Sequence, residues 1–177
     1  MVKKQELHTA TISQEKIIAP VSDELRELYN SGRFGELTGD RANYSLLEGL
    51  YLLEKEKLTV TKGKKTLTAE QLFDHALEIE PTFRIRYIVY KDLRNRGYIV
   101  KTALKFGADF RVYDRGIKPG EDHAKWIIFP VHENASFTWH EFSAKNRVAH
   151  STRKKLLLAI VDEEGDVTYY ECAWTRP

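Results

Sequence analysis

Residues 154–174 read KKLLLAIVDEEGDVTYYECAW. The apolar run at 156–161 has the length and composition of a strand. The Asp, Glu and Gly residues at 162–166 favour a turn, and a second strand is expected over 167–174. This stretch therefore predicts a β-hairpin, which forms two strands of a sheet whose other members must come from the preceding residues.

Residues 83–150 are expected to supply those strands and two helices that cover them. The first helix ends before Gly97, and its apolar face has four residues at helical spacing: Ile85, Ile88, Val89 and Leu93. Strands are predicted over 98–106, 109–113 and 126–130. A second helix begins at Ser136 or Thr138, and its predicted apolar face carries Trp139, Phe142 and Val148.

Short strands and helices are predicted over residues 8–79. A strand pair or an extended arm is expected over 8–20, and a helix over 23–31 is expected to stop at Gly32. Two capping boxes, at 45–48 and 68–71, each predict the start of a helix, because the two side chains satisfy free backbone N–H groups reciprocally.

The chain has 177 residues, enough for one ordinary domain or two small ones. Pro81 marks the predicted boundary between them. We predict the α+β class, with a small mixed α/β N-terminal domain over 1–82 and an α/β C-terminal domain over 83–177. The C-terminal domain should contain a mixed sheet flanked by helices.

Composition excludes several functional classes. No apolar run approaches the roughly 20 residues of a membrane span, and no apolar stretch follows Met1, so a cytosolic protein without membrane contact is expected. The single cysteine, Cys172, excludes an internal disulfide and a multi-thiolate zinc site. Acidic residues scatter without ligand spacing, and we therefore predict neither a metal nor a cofactor.

Charge is distributed unevenly along the chain. Residues 1–82 carry 11 Lys and Arg against 14 Asp and Glu, whereas residues 83–177 carry 17 against 12. A basic second half favours an anionic partner for that domain, although such an excess also occurs by chance in soluble domains.

Three ionisable residues fall at the ends of predicted elements in the basic half: Tyr113, His123 and Lys154. Together they can supply a general base, a general acid and a cation. Cleavage of RNA needs those three groups and no metal, because the RNA provides its own 2′-hydroxyl nucleophile. Each also has a simpler interpretation, as half-buried packing, a solvated loop histidine and a solubilising lysine. The other histidines show no ligand pattern.

Three stretches give the sequence a resemblance to a known family. They are 87–102 (YIVYKDLRNRGYIVKT), 106–113 (FGADFRVY) and 147–162 (RVAHSTRKKLLLAIVD). They closely resemble archaeal tRNA-splicing endonuclease, and a looser similarity extends over 28–35 and 45–53.

The resemblance implies a catalytic role for the C-terminal domain and a specific role for each candidate. Tyr113 would deprotonate the 2′-hydroxyl, His123 would protonate the leaving 5′-oxygen, and Lys154 would stabilise the transition state. The implied products are a 2′,3′-cyclic phosphate and a 5′-hydroxyl.

The implied substrate is precursor tRNA with a bulge–helix–bulge at the intron–exon junctions. Arg147 matches the arginine that stacks on a bulge base in the family. Trp174 or Arg176 is the candidate for a second gripping residue, although Trp174 is also typical of an edge strand.

The resemblance also implies a homotetramer, because two bulges are cut and one chain carries one triad. An acidic loop would enter a basic pocket of another subunit, and the matching residues are Asp162, Glu163, Glu164 and Asp166. The same residues are typical of a solvated turn. The terminal hairpin would form a dimer seam, and residues 1–82 would serve structure and assembly.

Two alternatives stay open. In the first alternative to the homotetramer, the chain is the catalytic subunit of a heteromeric endonuclease that needs a partner chain. In the second, it is a non-catalytic RNA-binding subunit. The intact triad argues against the second.

Overall fold

The computed structural model of the chain describes residues 8–117, 120, 123–175 and 177, with the backbone alone at Phe106. The fold is α+β, with two mixed sheets, as predicted. The chain divides into two compact units, one ending at Phe83 and one beginning at Arg84. Each unit contains one of the sheets.

The first unit has a six-stranded sheet in the order β3-β4-β2-β1-β5-β6. Its strands are β1 (His8–Ser13), β2 (Lys16–Pro20), β3 (Glu36–Thr38), β4 (Arg41–Ser45), β5 (Leu58–Lys62) and β6 (Lys65–Thr66). Its helices are α1 (Asp23–Gly32), α2 (Leu46–Glu54) and α3 (Ala69–Ile79). Strands β1 and β5 are parallel, and the other pairs are antiparallel.

Local hydrogen bonds explain where these helices begin. Ser45 and Glu48 form the predicted capping box at α2, and Thr68 and Gln71 form the one at α3. The expected stop at Gly32 is wrong by one residue. Arg33 adopts the left-handed conformation after α1, with φ 53°, and its N–H donates to the carbonyl of Tyr29. Gly32 remains helical, where a Cβ would clash with the ring of Phe34.

The second unit is a five-stranded sheet in the order β11-β10-β9-β8-β7. Its strands are β7 (Ile99–Thr102), β8 (Phe110–Tyr113), β9 (Trp126–His132), β10 (Lys155–Val161) and β11 (Val167–Cys172). Its helices are α4 (Phe83–Asn95) and α5 (Trp139–Ser151). Strands β9 and β10 are parallel, and the other neighbours are antiparallel.

The two helices cover opposite faces of this sheet. On one face, the ring of Tyr90 in α4 lies 6.1 Å from that of Phe110, and the hydroxyl of Tyr169 donates to Asp92 at 2.7 Å. On the other face, Ala149 of α5 packs in one buried cluster with Ile127 and Leu156 among its members. The apolar run at 156–161 is therefore a central strand, as the sequence predicts.

The predicted end of one strand in the second unit is wrong. The strand predicted over 98–106 ends at Thr102, and a 3₁₀ turn follows over Leu104–Phe106. Gly107 closes that turn with φ 74° and donates its N–H to the carbonyl of Leu104. The strand is thus shorter than its apolar composition suggests, and the left-handed glycine ends the turn that follows it.

Two further expectations are wrong. Strand β11 ends at Cys172, before Trp174. Trp139 does not face the core: it is 83% exposed, with its ring edge-on to Phe142 at 6.0 Å. The capping box of Thr138 and Glu141 makes Trp139 the first residue of α5, one turn short of the residues that pack on the sheet.

No helix in the described part of the chain is long and apolar enough to cross a bilayer.

Gly49 in α2 is expected to be a critical packing position in the first unit. It is buried, and a Cβ there would collide with Cδ1 of Ile17, which is fully buried. We expect Gly49→Ala to lower the free energy of unfolding by about 1–2 kcal/mol, because overpacking exceeds the gain in helix propensity of about 1 kcal/mol.

The measurement is urea unfolding of Gly49→Ala in the wild-type and Ile17→Val backgrounds. Valine lacks the colliding methyl group, so the cost of Gly49→Ala should fall by about 1 kcal/mol in the second background. Equal costs in both backgrounds would contradict this interpretation.

Candidate active site

Strand register brings three chain segments to one end of the second sheet. Val112 lies opposite Trp126, and Trp126 lies opposite Lys155. The end of β8 therefore lies beside the starts of β9 and β10. Tyr113 is the last residue of β8, His123 lies shortly before β9, and Lys154 directly precedes β10. The backbone thus groups the segments of all three predicted catalytic residues.

Tyr113 is held by packing against the segment that carries His123. Its side chain is only 5% exposed and forms a buried cluster with Ile99 and Ala124, against which Ile117 packs. Ala124 directly follows His123, which is exposed. One small cluster therefore links the base candidate to the loop of the acid candidate.

Lys154 is placed by the way helix α5 ends. Thr152 is the C-cap residue of α5, and Arg153 takes the left-handed conformation with φ 53°. The backbone N–H of Lys154 then donates to the carbonyl of Ala149 at 2.9 Å, and its Nζ donates to the carbonyl of Thr152 at 2.8 Å. The half-buried ammonium is therefore held at the end of α5, directly before β10 begins.

Lys155 forms a different contact, with Glu171 on the neighbouring strand. Its Nζ lies 2.6 Å from Oε1 of Glu171, and the indole Nε1–H of Trp126 donates to Oε2 at 2.8 Å. The hydrogen bond from Lys155, followed by that from Trp126, lowers the pKa of Glu171. One carboxylate thus joins the first residues of β9 and β10; we call Glu171, Lys155 and Trp126 the strand clamp.

A second ion pair joins the neighbours of Tyr113 and His123. Lys125 Nζ lies 2.7 Å from Oδ2 of Asp114, and this hydrogen bond is the main reason that the pKa of Asp114 is lowered. Asp114 follows Tyr113, and Lys125 is two residues after His123. The three segments of the triad are thus cross-linked by two carboxylates, neither of which the sequence analysis identified.

Arg147 and Trp174 line one groove beside α5. It has a volume of about 550 Å³ and is lined by Phe142, Ser143, Asn146, Arg147, His150, Ala173, Trp174 and Thr175. The rings of His150 and Trp174 meet edge to face at 4.7 Å. Sequence analysis found no ligand pattern for His150 and missed this contact, because its partner lies beyond the intervening hairpin. Arg176 lies outside the described residues.

The acidic residues after β10 form an ordered turn. Asp162 Oδ1 accepts the N–H of Asp166 at 2.8 Å. Glu163 accepts from Nδ2 of Asn134 at 3.0 Å and lies 3.7 Å from Nε2 of His132. Glu163 is therefore tied to the end of β9, although it is exposed, as Glu164 and Asp166 are. Among the described residues, no group of three or more His, Cys, Asp or Glu residues could hold a metal ion.

The strand clamp should give a pH-dependent coupling between Lys155 and Glu171. Both side chains are about half exposed, so we expect a coupling energy below about 1 kcal/mol near neutral pH. The pKa of Glu171 is lowered by folding from its ordinary 4.5, so the contribution is present above that pH and is lost as the pH falls through the lowered pKa.

A double-mutant cycle of Lys155→Met and Glu171→Gln, followed by urea unfolding, measures this coupling between about pH 7 and about pH 3, so that the series extends well below the ordinary pKa of a glutamate. A matched cycle of Lys155→Met with Glu164→Gln should be additive throughout. A Lys155–Glu171 coupling that persists unchanged at the acid end would contradict an ionic clamp.

Comparison with known proteins identifies the family of both domains. Residues 83–169 match the catalytic C-terminal domain of tRNA intron endonuclease, and residues 8–73 match its N-terminal domain.

Curated relatives agree over nearly the whole sequence. The chain is 42% identical to a tRNA-splicing endonuclease of Thermococcus onnurineus over 165 residues, which cover 93% of this chain and 95% of the relative. It is 39% identical to that of Pyrococcus furiosus with the same coverage, and 45% identical over 144 residues to that of Nanoarchaeum equitans, covering 78% and 92%. The chain therefore belongs to the tRNA intron endonuclease family and contains its catalytic domain.

Proposed function

We propose that this enzyme excises introns from precursor tRNA by cutting both bulges of a bulge–helix–bulge without a metal ion. The observation that carries the proposal is the strand register that brings the segments of Tyr113, His123 and Lys154 to one end of a single sheet. In a chain of this family, that end is the natural place for the scissile phosphate.

The proposed reaction divides among the three side chains. Tyr113 takes the proton of the 2′-hydroxyl, whose oxygen forms a bond to the adjacent phosphorus. Lys154 stabilises the additional negative charge of the pentacoordinate phosphorane. The bond from phosphorus to the 5′-oxygen breaks, and His123 gives that oxygen a proton. The products are a 2′,3′-cyclic phosphate and a 5′-hydroxyl, with no water consumed.

The groove beside α5 is proposed to hold an unstacked bulge base. Arg147 is exposed at its edge, and Trp174, which is 59% exposed, offers an aromatic face. Arginine planes and aromatic rings are the groups that stack on single-stranded bases. This arrangement supports Trp174 as the second gripping residue, while Arg176 remains a candidate from the sequence alone.

Self-association as a homotetramer completes the proposal, because one chain carries one triad and two bulges must be cut. The acidic turn of Asp162, Glu163, Glu164 and Asp166 is proposed to bind a basic pocket of another copy, with residues 1–82 helping assembly. The hairpin of β10 and β11 is proposed as a dimer seam, and exposed Tyr170 on β11 supports it. The alternative is a catalytic subunit that needs a different partner chain.

The purified chain alone, in excess EDTA, should cut a labelled bulge–helix–bulge RNA at both bulges. Tyr113→Phe, His123→Ala and Lys154→Met should each reduce the single-turnover rate by about 10²–10⁴-fold, since each removes one proton-transfer or charge-stabilising group. Phenylalanine is chosen because Tyr113 packs in a buried cluster that must be kept. Mapping of the RNA termini identifies the cyclic phosphate.

His140→Ala is the matched control for His123, because His140 is exposed on α5 and has no proposed role in the site. Its rate should equal that of the wild type. Cleavage that stops in EDTA, or that survives His123→Ala, would overturn the mechanism. A cleavage-inactive but folded chain that becomes active with a second protein would favour the heteromeric alternative.

The assembly proposal predicts a mass in solution four times the 20.6 kDa of one chain. Glu164→Lys combined with Asp166→Lys should lower this mass, because two of the exposed charges on the acidic turn are reversed. Light scattering after size-exclusion chromatography measures this mass. An unchanged mass in the turn variant would show that the turn is not an assembly contact.

A further inference from the structure

Two basic residues face each other beside the candidate active site. Lys101 on β7 lies opposite Arg111 on β8. Cross-strand partners point to the same face with Cβ atoms about 4.5–5.5 Å apart, and like charges in that position destabilise a sheet. Tyr113 is two residues beyond Arg111 on the same strand, so its side chain lies on the same face.

Within the described part of the chain, the guanidinium of Arg111 has no protein partner. It is half-buried, and its Nε is fully buried without a hydrogen-bond partner in the described part of the chain. No ion pair to its guanidinium is found among those residues either. By contrast, Arg96 in the same unit pairs with Asp92 at 2.8 Å. A half-buried cation kept without a protein partner suggests that an anion from outside supplies one.

We propose that Arg111 binds a phosphate of the RNA substrate adjacent to the phosphate that is cut. This inference rests on the proposed function. Residues two apart on a strand are separated by roughly 6.5–7 Å, which is comparable to the step from one phosphate to the next along an RNA strand. A guanidinium binds a phosphate through two parallel hydrogen bonds, so this contact would fix the position of the strand relative to Tyr113.

The placement predicts opposite effects on binding and stability. Arg111→Met keeps the buried stem but removes the charge. Because the guanidinium has no partner in the described protein, the melting temperature should stay equal or rise. RNA affinity should fall about tenfold to a hundredfold, as for loss of hydrogen bonds to a charged group. If Arg111 served only the fold, Arg111→Met would lower the melting temperature and leave the RNA affinity unchanged.

The test measures binding of a bulge–helix–bulge RNA with 2′-deoxy residues at both cut sites, over a range of salt concentrations. Loss of one phosphate contact should reduce the slope of log affinity against log salt by about 0.7–0.9 in Arg111→Met. Arg111→Lys should retain the wild-type slope.

Arg96→Met is the matched control, because it removes the same charge from an arginine that is paired within the protein. It should lower the melting temperature and leave RNA binding unchanged. Wild-type affinity and slope in Arg111→Met, or a melting temperature lowered more than in Arg96→Met, would overturn the inference. Failure of the wild-type chain to bind the bulged RNA better than an unbulged duplex would instead overturn the proposed function.

Discussion

The parallel pairing of β9 with β10 is the constraint on which the candidate site depends. Parallel strands cannot be joined by a tight turn, so the chain must cross back through α5 before β10 can begin. Both strands therefore start at the same edge of the sheet, and β8, which is antiparallel to β9, ends there. The antiparallel pair of β8 and β9 groups the segments of Tyr113 and His123, and the parallel pairing brings Lys154 to the same edge.

Sequence predicted the features that local hydrogen bonds determine and missed those that need distant partners. The capping boxes at 45–48 and 68–71 were predicted correctly, because each is closed within four residues. The strand clamp spans 45 residues between Trp126 and Glu171, and no local pattern marks it. Trp139 follows helical periodicity with Phe142 but lies at the end of its helix, where periodicity does not decide burial. The triad itself came from a family resemblance, and the register shows only why its segments meet.

Four of the cations near the candidate site fall into two groups that serve different purposes. Lys125 and Lys155 are paired with carboxylates, and these pairs hold chain segments together. Arg111 has no such partner in the described chain, and Arg147 is exposed beside a groove. Paired charges contribute little to RNA binding because their field is locally neutralised, whereas unpaired ones are available to phosphates and bases. The basic excess of the second half is therefore less informative than the pairing of each residue.

The strand clamp also affects the outer edge of the sheet. Strand β11 is an edge strand, and natural proteins protect such edges from pairing with other chains by placing charges on them. The only charged residue of β11 is Glu171, and its carboxylate is already bound by Lys155 and Trp126 within the chain. The contact that fixes the starts of β9 and β10 thus neutralises the charge that would keep a second chain away. The same side chain therefore has two effects. It aligns segments of the predicted catalytic residues, and it leaves an edge open to self-association, which the proposed tetramer requires.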